Sequence, residues 1–269
     1  MGRQDLADAL DAELMERLLP TGAVRAMGVW LAGRGAGYAT GVGTHAVTYV
    51  PARWSEIEPW PGRLVDRSLT EAVTISRDQV VALAREAVEG GQWSLALTAS
   101  YVWGQGRTGY GPHRLKSVLA EPNVADALSR AGRALPNEGA VAAYGMLCKA
   151  VRGLGPAFFT KLLYFLDLAM DAPCTPRALV LDQRVARVVR AHAARTARES
   201  GLSSAADVAG WTWSDSGWTP HRYGVYLHWI TAASEQLAAS GIGWPAANPD
   251  LLELALFDGA WDPAIDARR

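Results

Sequence analysis

Lys161 and Asp182 are the residues of the sequence whose types and surroundings best suit chemistry. Four aromatic residues lie close to the lysine in sequence: Phe158, Phe159, Tyr164 and Phe165. Apolar surroundings favour the neutral form of an amine, which is its nucleophilic form. Asp182 stands where a long amphipathic helix is predicted to begin, and a carboxylate fixed there can stabilise positive charge on a substrate. We expect the two side chains to lie close together, although a solvated surface lysine and a simple helix cap would explain each separately.

Two helices and the turn between them must present this lysine. The sequence predicts helices over Asn137–Val151 and Pro156–Ala169. Two glycines one residue apart favour a turn too tight for a Cβ, and proline suits the first position of the next helix. Such a turn aims backbone N–H groups in one direction beside a helix N-terminus, which can hold a phosphate. Our candidates for this phosphate contact are the four residues between the helices: Arg152, Gly153, Leu154 and Gly155.

The combined pattern resembles the helix-hairpin-helix DNA glycosylases over roughly residues 92–257. It is similar in particular to bacterial proteins described as having an 8-oxoguanine glycosylase fold. Two stretches carry the similarity: Leu154-Gly155-Pro156-x-Phe158-Phe159-Thr160-Lys161 and Leu181-Asp182-x-Arg184-Val185. The resemblance implies that the hairpin binds double-stranded DNA containing a modified base, that Lys161 attacks the sugar C1′ and that Asp182 assists.

One departure from the superfamily pattern concerns the lysine. The usual lysine stands two residues after the second hairpin glycine, and that position here is Ala157. Lys161 lies one helical turn later, about 6 Å along the same helix face, and a lysine stem can span much of that distance.

The identity of the base and the type of activity stay open in the sequence. The resemblance implies 8-oxoguanine and a role in DNA repair, but a bulky modified base, such as a modified cytosine of phage DNA in antiviral defence, is an alternative. A second alternative is a monofunctional glycosylase in which Asp182 activates water and Lys161 only contacts DNA. A third is a non-catalytic hairpin module that recognises DNA, which would leave the pairing of Lys161 with Asp182 unexplained.

The charge of the chain is unevenly distributed. Residues 104–199 hold fourteen basic and seven acidic residues, whereas the remainder holds twelve basic and twenty acidic ones, and the whole chain has a net charge of −1. A basic segment in an otherwise acidic chain is typical of a polyanion-binding face, and a solvated arginine surface is the competing interpretation. From this segment we expect Arg107, Arg114 and Arg184 to contact DNA.

Residues 104–114 contain a Gly-x-Gly-x-x-Gly pattern. It does not fit a dinucleotide fingerprint, because no strand precedes it and Pro112 interrupts the helix that should follow. We predict a flexible basic loop instead. An extruded base needs flat apolar walls and a polar reader, although aromatic residues at helical spacing more often belong to a core. The candidates for this base pocket are Trp103, Gln105, Phe165, Tyr226 and Trp229.

Periodicity predicts a mainly α fold, a helix-hairpin-helix glycosylase-like array over residues 76–269 behind a mixed, partly irregular segment 1–75. The further helices predicted are Leu6–Leu19, Ser76–Glu89, Trp93–Trp103, Val124–Ala131, Asp182–Glu199, Thr219–Ser240 and Pro249–Phe257, and residues 28–50 are predicted as a loop with a hairpin.

Composition excludes several classes of protein. No apolar run reaches membrane-spanning length, and two cysteines, Cys148 and Cys174, are too few for a four-cysteine iron–sulfur cluster. The histidines His221 and His228 form no recognisable metal motif with the distant cysteines. We therefore expect a cytoplasmic monomer without a metal or cofactor.

Overall fold

The computed structural model describes residues 2–107, 109–246 and 248–266. The chain forms two compact units: a continuous unit, Gly43–Val180, and a split unit made of Met1–Val42 and Leu181–Arg269. This division does not coincide with the predicted boundary at residue 75, because residues 43–75 pack within the continuous unit.

Helices make up most of the described chain, which confirms the predicted mainly α class. In chain order they are α1 (Arg3–Glu16), α2 (Thr21–Ala32), α3 (Arg77–Glu89), α4 (Trp93–Gln105), α5 (Gly111–Leu119), α6 (Val124–Glu138), α7 (Ala140–Leu147), α8 (Pro156–Ala169), α9 (Gln183–Glu199), α10 (Ala205–Thr212), α11 (Pro220–Ala239), α12 (Pro249–Phe257) and α13 (Pro263–Asp266). Two short strands, β1 (Ala46–Tyr49) and β2 (Val73–Ser76), pair antiparallel with Ala46 opposite Ser76. In the part of the chain that is described, no helix is long and apolar enough to cross a membrane.

In the continuous unit α4 and α8 pack together, and α3 packs on both. Ser76, at the predicted start of the helix, caps α3, and its hydroxyl accepts a hydrogen bond from the Gln79 N–H in a capping box. Trp103 of α4 contacts Phe165 of α8 edge to face, with ring centroids 5.1 Å apart. This α4–α8 contact fixes the helix that carries Lys161.

In the split unit α9 packs against α1, α10 and α12. Its buried face includes Val185 and Val189, and α1 contributes Leu10 and Leu14 to the buried residues of the unit. Because α1 comes from the beginning of the sequence and α9–α13 from the end, this core is assembled from distant parts of the chain.

Several predicted elements need correction. Residues 28–32 are helical rather than part of a loop, because α2 continues to Ala32. The helix predicted over 137–151 is interrupted at Gly139, whose φ is +88, so that α6 ends at Glu138 and α7 covers only 140–147. Four helices were not predicted: α2, α5, α10 and α13.

Candidate functional site

Lys161 lies within α8 and is buried, with 7% of its surface exposed. Its stem passes close to the backbone of Gly104, where an added Cβ would lie 2.5 Å from the lysine Cδ. Its amine is 5.6 Å from the centroid of the Phe158 ring, and that ring stacks on Tyr101 with centroids 4.0 Å apart. The lysine, one of three in the chain, is therefore enclosed by largely apolar groups, as its sequence neighbours predict.

The amine of Lys161 points back along α8. Its Nζ donates a hydrogen bond of 2.6 Å to the carbonyl oxygen of Ala157, in keeping with the lean of helical side chains towards the N-terminus. Ala157 is the position at which the superfamily pattern places the lysine. Lys161 lies one helical turn after the position of the superfamily lysine, but its side chain points back and brings the amine to the first turn of α8.

Burial also acts on Tyr101, the partner of Phe158. It raises the pKa of the Tyr101 phenol to about 12, against a smaller opposing effect of the Arg114 charge. The ring beneath Phe158 is therefore a neutral phenol at physiological pH, and it contributes no negative charge near the lysine.

Asp182 is the N-cap of α9, as predicted. Its Oδ1 accepts hydrogen bonds from the backbone N–H groups of Arg184 at 2.9 Å and Val185 at 3.1 Å. The positive end of the helix dipole also favours a negative charge at this position. The carboxylate is therefore fixed in direction by the helix that it begins.

Lys161 belongs to the continuous unit and Asp182 to the split unit. The expected close approach of the two side chains stays a prediction.

Asp167 is a buried residue of α8 that the sequence analysis missed. Its carboxylate accepts hydrogen bonds from the backbone N–H groups of Cys174 at 2.7 Å and Ala178 at 3.1 Å. The nearby negative charge adds to burial in raising the pKa of the Cys174 thiol to about 12. Asp167 thus holds the segment after α8 by two hydrogen bonds. The sequence could have indicated this role, because Asp167 is an acidic residue between Leu166 and Leu168 in an apolar helix.

The turn between α7 and α8 is present but longer than predicted, because α7 ends at Leu147. Gly153 has a φ of +82, a conformation that strains other residues. Gly155 has φ −86 and ψ 165, and an added Cβ there would meet nothing within 4 Å. The expectation that both glycines are too tight for a Cβ is therefore wrong for Gly155.

Of the remaining hairpin residues, Leu154 is buried and Arg152 is exposed. The N–H of Leu154 bonds the Val151 carbonyl at 3.2 Å. Its side chain and its N–H are therefore both engaged within the turn, and its predicted contact with DNA stays a prediction. Among the described residues, the N–H groups of Arg152, Gly153, Gly155 and Ala157 donate no backbone hydrogen bond.

The predicted flexible loop over 104–114 is mostly helical. Residues 104 and 105 end α4, and α5 begins at Gly111 with Pro112 in its first turn. Proline suits that place, so it opens the helix rather than interrupting it. Between the helices, the Arg53 guanidinium donates hydrogen bonds to the carbonyl oxygens of Arg107 at 2.8 Å and Gly109 at 3.0 Å. Thr108 lies outside the described residues.

The basic residues of this region are exposed. Arg107 and Arg114 are both exposed to solvent. Arg107 precedes α5 and Arg114 lies in it, and the end of α5 is close to the hairpin. Asn123, just after α5, donates a hydrogen bond of 2.6 Å to the Ala150 carbonyl. A Cβ at Gly153 would lie 3.4 Å from Val118 of α5. The basic loop and the hairpin are thus adjoining parts of the continuous unit.

The residues predicted to line a base pocket are mainly core residues. Trp103 and Phe165 are buried in the continuous unit, and Tyr226 and Trp229 in the split unit, while Gln105 is half-buried. Their role as walls or reader of an extruded base stays a prediction.

The arginines of α9 are largely paired with acids. Arg187 and Arg190 both form ion pairs with Asp215, at 2.6 and 3.0 Å, and this pairing lowers the pKa of Asp215 to about 2. Arg184 is exposed and lies over the Phe257 ring, 4.8 Å from its centroid. Part of the positive charge counted in this segment is therefore neutralised within the split unit.

One group of potential metal ligands occurs in the described residues: Asp8, Asp11 and His221 have ligand atoms within 4.8 Å of one another. The Asp11 carboxylate is already in an ion pair with Arg222, which competes with any cation, and we assign no metal to this group.

Comparison with known protein families places most of the chain in a described family. Residues 40–257 match the model of the family described as "Putative 8-oxoguanine DNA glycosylase OGG-like protein". No curated protein and no solved structure matches the chain significantly.

Proposed function

Since the chain belongs to this OGG-like family, we propose that it is a DNA glycosylase that removes 8-oxoguanine from double-stranded DNA with Lys161 as its nucleophile. The observation that best supports this role for Lys161 is that its side chain is buried and that its amine donates a hydrogen bond to the Ala157 carbonyl at the first turn of α8. A solvated surface lysine, the competing interpretation, would be neither enclosed nor directed in this way.

The proposed reaction exchanges one bond at the sugar C1′ for another. The lone pair of the Lys161 Nζ forms a bond to C1′ while the glycosidic bond breaks, and its electron pair leaves with the base, which takes up a proton. Loss of a proton from the nitrogen and opening of the sugar ring then give a Schiff base. Borohydride donates hydride to this Schiff base and converts it to a stable amine that links protein and DNA.

Asp182 has an electrostatic role in this proposal. Positive charge develops on the sugar as the glycosidic bond weakens, and a carboxylate already fixed in direction stabilises it without reorganisation. The two capping hydrogen bonds to Oδ1 supply that fixation.

DNA binding is assigned to the continuous unit in the first instance. The N–H groups of the hairpin next to the start of α8 suit a backbone phosphate, and Arg152, Arg107 and Arg114 supply exposed positive charge nearby. Affinity for duplex DNA should then fall as salt is added, and Arg152→Gln should reduce the slope of log K against log salt by about 1. An unchanged slope would remove Arg152 from the contact.

The decisive experiment incubates the protein with duplexes that carry 8-oxoguanine, a modified cytosine or no modification, with and without borohydride. We expect base release and a trapped adduct with the 8-oxoguanine duplex. Lys161→Gln should abolish the adduct, because glutamine has similar length but no amine. Lys116→Gln, which removes an exposed lysine of α5, is the matched control and should retain it.

Asp182 is tested in the same assay. Asp182→Asn should slow base release by about a hundredfold while duplex affinity changes little, since only the negative charge is lost. Equal rates for Asp182→Asn and the unaltered protein would exclude the electrostatic role.

The other outcomes identify the alternatives. Base release without a trapped adduct indicates a monofunctional enzyme in which Asp182 activates water. Release of the modified cytosine alone would reassign the substrate and favour a defensive role. Duplex binding without release from any member of the panel would indicate a non-catalytic hairpin module.

A further inference from the structure

Gly104 is a helical glycine for which the sequence provides no reason. It lies within the last turn of α4, and glycine inside a helix costs roughly 0.5–1 kcal/mol relative to alanine. It belongs to the Gly-x-Gly-x-x-Gly pattern, which does not fit a dinucleotide fingerprint. A packing reason is therefore expected at this position.

The neighbour of Gly104 is Lys161. A Cβ on residue 104 would lie 2.5 Å from the lysine Cδ and 3.1 Å from its Cε, while the nearest atom of Phe158 would be 3.8 Å away. The first two distances are below normal van der Waals separation. The lysine stem therefore occupies the volume that any side chain at residue 104 would need.

A Cβ at residue 104 would overlap the flexible stem of the Lys161 side chain. The clashing atoms belong to the lysine stem and not to a helix backbone, so the lysine would yield before α4 or α8 moved. A displaced stem would carry the amine away from the Ala157 carbonyl, which now holds it at 2.6 Å.

We infer that Gly104 is a positioning residue for Lys161: its missing side chain seats the lysine stem against α4 and thereby directs the amine to the first turn of α8. This inference rests on the proposed function for its catalytic consequence, but the contact itself is independent of that function.

Gly104→Ala tests the inference, and Gly210→Ala is the matched control. Gly210 is also a helical glycine, in α10, and an added Cβ there meets nothing within 4 Å. Both substitutions add one methyl group to a helix, but only the first conflicts with Lys161.

The first measurement needs no DNA. Lysines are modified by formaldehyde and cyanoborohydride, and the modification of each of the three lysines is followed by peptide mass spectrometry. Lys116 and Lys149 are exposed and serve as internal references. In Gly104→Ala the freed amine should react about threefold or more faster, relative to these references, as its local environment opens. An unchanged or lower ratio, or an equal rise in Gly210→Ala, overturns the inference.

The second measurement uses the 8-oxoguanine duplex in single turnover. Gly104→Ala should form the trapped adduct about tenfold or more slowly, because a small displacement of a reacting group is costly, with duplex affinity within about twofold of Gly210→Ala. A rate equal to that of the control overturns the catalytic part of the inference. If Lys161→Gln still forms the adduct, the proposed nucleophile is wrong, and the lysine modification experiment alone decides the contact.

Stability provides the safeguard against misfolding. If Gly104→Ala lowers the unfolding temperature, the double variant Gly104→Ala with Lys161→Ala should restore it to that of Lys161→Ala alone, because the conflicting stem is gone. Failure of this rescue would mean that Gly104 makes room for something other than Lys161, and the inference would fall.

Discussion

The hairpin turn, residues 148–155, and the α4–α5 connection, defined as residues 104–111, are both rich in glycine, and their glycines serve different purposes. In the α4–α5 connection a Cβ would overlap a neighbour at each of three positions: Lys161 at Gly104, Val47 at Gly106 and Gln105 at Gly111. In the hairpin, Gly153 is required for its positive φ, and Gly155 has open space around it. Gly106 also has a φ of +57, and the fourth glycine of the connection, Gly109, has a φ of +30 and open space around it. The connection thus uses glycine mainly for close packing, whereas the hairpin uses it once for a backbone turn and once at a position with open space around it.

Glycines at which a Cβ would overlap a neighbour therefore differ from Gly155, at which a Cβ would have open space. Gly155 lies beside the N–H groups at the start of α8 that donate no backbone hydrogen bond. Because Gly155 has no side chain, it does not cover these N–H groups. The glycines at 104 and 111 shape the surroundings of two side chains with predicted roles, Lys161 and Gln105. Substitutions in the two regions should therefore have different effects on stability, and three of them test the comparison.

Gly106→Ala should have the largest effect. Gly106 combines a φ of +57 with a Cβ position 2.7 Å from the Val47 Cγ1 on β1, and we expect the free energy of unfolding to fall by about 3 kcal/mol. Gly91→Ala is the control, because Gly91 has a φ of +65 and no neighbour within 4 Å. Chemical denaturation of both variants measures the difference. Equal losses would show that the backbone conformation, and not the contact with β1, determines the cost.

The two hairpin glycines should differ from each other. Gly153→Ala should lower the free energy of unfolding by about 1–2 kcal/mol, because alanine is strained at positive φ. Gly155→Ala should change it by less than about 0.5 kcal/mol. Thermal and denaturant unfolding of the pair, followed by circular dichroism, gives both values. A large loss for Gly155→Ala would contradict the open position described for this residue.

Arg53→Lys should have a small but specific effect on the α4–α5 connection. Lysine keeps the charge, but its single ammonium nitrogen lacks the planar fork with which the guanidinium donates from two nitrogens, one to each carbonyl oxygen. We therefore expect the free energy of unfolding to fall by about 1 kcal/mol. Exchange of the amide hydrogens near residues 107 and 109 should increase in this variant. Unchanged exchange would mean that the two hydrogen bonds do not hold the connection.

The sequence predicts best the elements that carry explicit end signals. The predicted bounds of α8 and α12 agree with the structure, because Pro156 and Pro249 mark their first turns. Ser76, Asp182 and Thr219, which cap α3, α9 and α11, likewise stand at the predicted starts of these helices. In contrast, α2 begins after Pro20 without a side-chain cap and contains Gly28, so residues 21–27 were not predicted as a helix and residues 28–32 were predicted as part of a loop.

The parts of the candidate site that escaped prediction depend on contacts between distant residues. Arg53 reaches residues 107 and 109 across more than fifty positions, and no local pattern reports such a bond. Likewise, Gly104 is explained only by a lysine on another helix. The same applies to the amine of Lys161, whose return towards Ala157 follows from helical geometry but whose burial required α4 to be in place.

The order of the two units along the chain has a consequence for biosynthesis. A ribosome completes residues 43–180 while the helices that pack on α1, namely α9, α10 and α11, are still to be made. At roughly 5–20 residues per second, several seconds separate the emergence of the continuous unit from that of α11. During that interval the apolar face of α1, with Leu10 and Leu14, has no native partner among those three helices. The nascent chain should therefore depend on chaperones through α1, while the helix bearing Lys161 is already able to fold.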